Sequence, residues 1–74
     1  MTTNQVAEQI EKALRKKPLM RVRTAREFRE LIPCGRNISD EQALDGLRLV
    51  RGRRKARIRT CHDTGVVTIQ AKWQ

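Results

Sequence analysis

Apolar residues recur along this chain with two different periods, and the switches between them mark its elements. Val6, Ile10, Ala13 and Leu14 fall at the spacing of one helix face, which predicts a helix over residues 3–17. Thr2 and Gln5 match a capping box at its start, Arg15, Lys16 and Lys17 complement the dipole at its end, and Pro18 stops it. Residues 19–23 then alternate, with Met20 and Val22 to one side and Arg21 and Arg23 to the other, as in a short edge strand. Thr24 and Glu27 fit a second capping box, opening a helix whose inward face is Ala25, Phe28, Leu31 and Ile32. Pro33-Cys34-Gly35 ends it and turns the chain. Ser39 and Gln42 form a third box, with Ile38 and Ala43 placed as a hydrophobic staple. This helix is expected to bury Ala43, Leu44, Leu47 and Val50, and Gly52 to end it in a left-handed conformation.

The C-terminal alternation fits a hairpin, and its register follows from the pattern. A loop over residues 62–65 sets Thr60 opposite Val67, Ile58 opposite Ile69 and Ala56 opposite Ala71, so that apolar side chains share a face. Arg57 and Arg59 then share the other face with Gln70 and Thr68. A loop one residue shorter would set Ile58 against Gln70. Gly65 supplies the positive φ that such a loop often needs.

The order is therefore helix, strand, helix, helix, strand, strand, in one α+β domain spanning residues 1–74. At this point the chain resembles the winged helix-turn-helix family. Residues 24–32 look like the first helix of the motif, 39–51 like its recognition helix and 54–73 like the wing. Ser39, Ala43, Leu44, Leu47 and Gly52 are spaced as in many small bacterial winged-helix regulators. The resemblance implies DNA binding, with the third helix in the major groove and the wing against the backbone or minor groove.

Charge agrees with a nucleic-acid partner. The chain has 74 residues, a formal charge of +9 and a pI near 11.1, an imbalance that calls for an anionic partner. Arg48, Arg51, Arg53, Arg54, Lys55, Arg57 and Arg59 form a run with no acid inside it. A run of this kind is commonly only a solvated face; its position at a helix end and in the wing is what points to phosphates. Together with Arg36 these are the expected nucleic-acid contacts, assisted by Arg21 and Arg23. Arginine outnumbers lysine, favouring bidentate contacts to phosphate or guanine.

Asp40, Glu41 and Asp45 complicate this picture, because they lie on the N-terminal half of the expected recognition helix. Three accounts are open: a carboxylate accepts from cytosine N4, the acids only complement the helix dipole, or this helix is not the reader. The same acids favour an alternative, in which the winged-helix scaffold is a protein-interaction module or an inhibitor of a nucleic-acid enzyme. Structured RNA is a third partner class.

Other chemistry is thin. Cys61, His62 and Asp63 have the residue types of a nucleophile, base and orienter, but adjacent strand residues point to opposite faces. Cys34 and Cys61 with His62 do not make a four-ligand zinc site, so no metal, cofactor or catalysis is expected. Phe28 lies on an apolar stripe, and Trp73 is expected to cap the core or a dimer contact. So few aromatics argue for duplex DNA over single-stranded partners. No targeting or membrane-spanning segment is apparent, and a reduced, cytoplasmic, non-enzymatic regulator or phage accessory factor is the expectation, bound to double-stranded DNA as a homodimer.

Overall fold

The computed structural model describes residues 1–72. Helix α1 (Thr3–Lys16) opens on the expected box: Gln5 N donates to Thr2 Oγ1 at 3.2 Å, and Thr2 N to Gln5 Oε1 at 2.9 Å. It buries Val6, Ala7, Ile10, Ala13 and Leu14. After Pro18 the chain enters β1 (Leu19–Val22), with Met20 and Val22 facing inward.

Helix α2 (Ala25–Glu30) is shorter than its pattern predicts. Proline disfavours helical backbone in the residue before it, and ahead of Pro33 the chain tightens: Leu31 N donates to Phe28 O, and Ile32 N to Arg29 O. Phe28 and Ile32 are buried, whereas Ala25 and Leu31 are half-buried. The second capping box is half formed. Thr24 Oγ1 accepts from Glu27 N, but the Glu27 carboxylate accepts from Arg23 N, at 2.7 Å, rather than from the cap residue. A 3-10 turn (Gly35–Asn37) leads to α3 (Asp40–Gly52), whose Ser39–Gln42 box is complete. The staple residues Ile38 and Ala43 are both buried.

Helices α1 and α3 form the most extensive helix pair. They approach closely at Gly46, where an added Cβ would lie 2.5 Å from Val6 Cγ1. That approach sets the rotation of α3 and directs Ala43, Gly46, Leu47 and Val50 inward. Leu44, expected in the core, is left 39% exposed at the flank.

The end of α3 departs from expectation as well. Gly52 is the last helical residue, and the left-handed position belongs to Arg54, with φ 59°. Arg54 N donates to Arg51 O and Lys55 N to Val50 O, the two bonds of a Schellman motif. The motif is built two residues after the glycine, because Lys55 already belongs to the sheet margin, where its carbonyl accepts from Lys72 N at 3.1 Å.

Strands β2 (Ala56–Thr60) and β3 (Val67–Ala71) pair in the expected register: Ala56 with Ala71, Ile58 with Ile69 and Thr60 with Val67. Gly65 has φ 72° in the loop, and Cys61 N closes it onto Val66 O at 2.8 Å. Strand β1 pairs antiparallel with β3, giving a three-stranded sheet of order β1-β3-β2 with β1 at an edge. The inner face of this sheet, led by Met20, Ile69 and Ala71, joins the buried faces of the helices in one core. Trp73 lies outside the described residues.

Candidate nucleic-acid interface

Antiparallel register decides which side chains meet on the outer face of the sheet. Arg21 and Arg59 both stand opposite Thr68, while Leu19 and Arg57 both stand opposite Gln70. Strands lie about 4.8 Å apart, so Arg21 and Arg59 are separated across β3 by about 10 Å, roughly one Debye length at 0.1 M salt. Their potentials therefore add with that of Arg57, two residues from Arg59 on the same face. All three are exposed.

Along the chain, the end of α3 leads directly into β2. Arg51, Arg54 and Lys55 are exposed along the Schellman turn that feeds β2. Lys72 is drawn beside Lys55 by the backbone bond between them. Lys72 escaped the reading by charge run, since it lies far along the chain; extending the hairpin register by one pair would have found it. Among the described residues, no carboxylate lies within salt-bridge distance of Arg21, Arg51, Arg54, Lys55, Arg57, Arg59 or Lys72.

The remaining expected contacts are engaged or placed elsewhere. Arg53 Nη2 donates to Asn4 Oδ1 at 2.6 Å and so ties the turn to the start of α1. Arg48 Nη1 lies 3.4 Å from Asp45 Oδ1, a pair so exposed that it contributes about 0.2–1 kcal/mol at most. Arg36, on the 3-10 turn, lines a separate cleft with Arg26 and Arg29. Arg23 follows β1 and is exposed.

Two of the three acids on α3 have partners within the chain. Asp40, at the first helical position, is 3.3 Å from Arg29 Nη1 and also sits where the helix dipole favours negative charge. Asp45 is paired with Arg48. Of the three carboxylates, Glu41 alone has no cation at salt-bridge distance among the described residues. The exposed face of α3 thus changes from acidic at Glu41 and Asp45 to basic at Arg48 and Arg51.

The hairpin loop carries Cys61, an exposed thiol, whereas Cys34 is buried in the turn after α2. The Thr64 hydroxyl, and after it the Thr64 and Asp63 backbone N–H groups, donate toward the Cys61 sulfur and hold its pKa below the ordinary thiol value. Among the described residues, no group of three or more His, Cys, Asp or Glu side chains is arranged to hold a metal, and no helix is long and apolar enough to cross a membrane. Comparisons with protein-family models, curated proteins and solved structures find no significant match to the chain.

Proposed function

We propose that the chain is a winged-helix domain that binds double-stranded DNA without catalysing a reaction, as a small transcriptional regulator or an accessory factor of a phage or mobile element. One observation carries this reading: Arg21, Arg57 and Arg59 share the solvent face of the sheet, continuous along the chain with Arg51, Arg54 and Lys55, and no carboxylate among the described residues neutralises them. The element order and the sheet order β1-β3-β2 suit a winged helix, with α2 and α3 as the two helices of the motif and β2-β3 as the wing.

The charge pattern shifts the docking away from the usual mode. Recognition helices of this motif approach bases through their N-terminal residues, and here that end presents Glu41 and Asp45. Phosphate contact is therefore assigned to the C-terminal half of α3 and the strand face of the wing. The wing tip is excluded from the strongest contacts because it carries Asp63. The alternative of a protein-docking face through Asp40, Glu41 and Asp45 has less support, since two of those carboxylates already meet arginines of their own chain. One module of this size covers one half-site, so two copies on a paired site belong to the reading.

Affinity for a random duplex, measured against salt, tests it. Neutralising about five phosphates gives a log–log slope of about −4 to −5; a flat response removes the phosphate surface. Selection of bound duplexes from a random pool then separates a sequence-specific regulator, which enriches a paired motif, from a backbone binder.

A further inference from the structure

The outer face of the sheet carries a concavity at one corner. Lys72 N donates to Lys55 O at 3.1 Å, which extends the β2–β3 register one pair beyond Ala56 and Ala71. Those two alanines are buried on the core side. By alternation Lys55 and Lys72 therefore stand opposite each other on the solvent face, next to the opposed pair Arg57 and Gln70. Arg57, Gln70, Ala71 and Lys72 line a cavity of about 100 Å³, and no acid belongs to its walls. A water molecule takes about 30 Å³ of liquid volume, so the space suits a group of a few heavy atoms. Like charges directly opposite on paired strands are destabilising, and here a third cation, Arg57, lies on the diagonal from Lys72, about 7–8 Å away and within reach of a long side chain. Among the described residues, no carboxylate pairs with Lys55, Arg57 or Lys72, and neither these side chains nor the Gln70 amide make a side-chain hydrogen bond. All four residues are exposed.

We propose that this corner seats one phosphate oxyanion, with the Arg57 guanidinium and the Lys72 ammonium on its charge, the Gln70 amide as a neutral donor, and Lys55 adding to the local potential. Phosphate fits better than carboxylate, because a tetrahedral group offers oxygens in several directions to donors that come from two strands, whereas the two oxygens of a carboxylate lie in one plane. The phosphate is either free or part of a nucleic-acid backbone, and both present the same oxygens. The inference rests on the reading of this face as a phosphate surface and deepens it: one phosphate is held at a defined point, not by the summed field of the basic run.

The test follows the Arg57 Nε–H signal by NMR in the full chain, titrated with sodium phosphate against sodium chloride at matched ionic strength. The expected result is a saturable shift with phosphate alone. Gln70→Ala leaves every charge in place and should weaken the apparent affinity by about three- to tenfold, the loss of one hydrogen bond. Lys72→Gln should weaken it by about tenfold, the loss of a charge-assisted contact. Lys12→Gln removes the same charge from the exposed side of α1 and should leave saturation unchanged. Amide spectra check that each variant keeps the fold. A linear drift equal in phosphate and chloride, or a Lys12 variant that loses as much as the Lys72 variant, overturns the seat in favour of diffuse charge. A short random duplex distinguishes the source. If it competes with phosphate for the Arg57 signal, the ligand is a backbone phosphate; if it binds and leaves phosphate in place, the ligand is a free phosphate. A duplex that binds while phosphate shows no saturation overturns the seat and keeps the DNA-binding proposal. A duplex that does not bind, while phosphate still saturates, removes the DNA-binding proposal and keeps the seat.

Discussion

Arg54 holds a conformation that costs an L-residue with a Cβ about 1–2 kcal/mol in the left-handed region, with φ at 59°. The glycine that would relieve it stands two positions earlier, in helical backbone, with open space around its missing side chain. The two positions therefore have opposite preferences. Arg54→Gly should raise unfolding free energy by about 1 kcal/mol, and Gly52→Ala by a similar amount, about 0.8–1 kcal/mol, from helix propensity. Urea melts check both, with Arg54→Gln as the control that removes the charge and keeps the Cβ. If the glutamine variant gains as much as the glycine variant, relief of repulsion rather than backbone strain is responsible. The thiols give a second contrast at this scale. In the native protein Cys61 should react with a thiol reagent and Cys34 only after unfolding, because one is exposed and the other buried. Since the thiolate is the reactive form and the Thr64 hydroxyl lowers the pKa of Cys61, its rate should rise with pH at a lower midpoint than in the denatured chain. Thr64→Ala should move that midpoint up, and an unchanged profile would show that the hydroxyl does not act on the sulfur.

Packing between elements makes Gly46 different from Gly52. A methyl group at position 46 would meet Val6 Cγ1 at 2.5 Å, so overpacking of about 1–3 kcal/mol competes with a propensity gain of about 1 kcal/mol. Gly46→Ala is therefore expected to destabilise, and a melt in which it matches Gly52→Ala would mean that α1 and α3 separate freely. Across the sheet, register makes Arg21 the equal of Arg59. Changing either to Gln should reduce the salt slope of duplex binding by about 1 and weaken all sequences alike; an unaffected slope in Arg21→Gln would take β1 out of the surface. This pairing also indicates what was legible in the sequence. Capping boxes at Thr2 and Ser39 and the hairpin register depend on residues close along the chain, and strict alternation admits a single register with a buried face. Leu44 and the end of α3 were not legible for the opposite reason. Helical periodicity leaves the flank of an apolar stripe ambiguous by one position, and only the close approach at Gly46 fixes which flank turns outward. Likewise the helix ends where sheet pairing begins at Lys55, not where its glycine stands. The Arg26, Arg29 and Arg36 cleft is tertiary in the same sense, since the turn brings together arginines that no run marks.

Taken as a whole, the molecule sets stability against function through one electrostatic quantity. A charge of +9 on a chain of this size, with its cations largely left without carboxylate partners among the described residues, repels itself in the native state. Salt shortens the Debye length from about 30 Å at 0.01 M to about 10 Å at 0.1 M, so added sodium chloride should raise the melting temperature. In a domain this small each 1 kcal/mol of relief moves the midpoint by about 4–8 °C. The same salt should weaken duplex binding, giving two responses of opposite sign from one set of side chains. Had the arginines been neutralised by the chain's own acids, salt would screen attraction and lower the midpoint instead. A variant with Arg51, Arg54, Arg57 and Arg59 changed to Gln separates the cases. It should melt higher than the parent at low salt, converge with it at high salt and lose most of its duplex affinity, whereas a variant that melts lower at every salt concentration would place those guanidinium groups in the network that holds the fold.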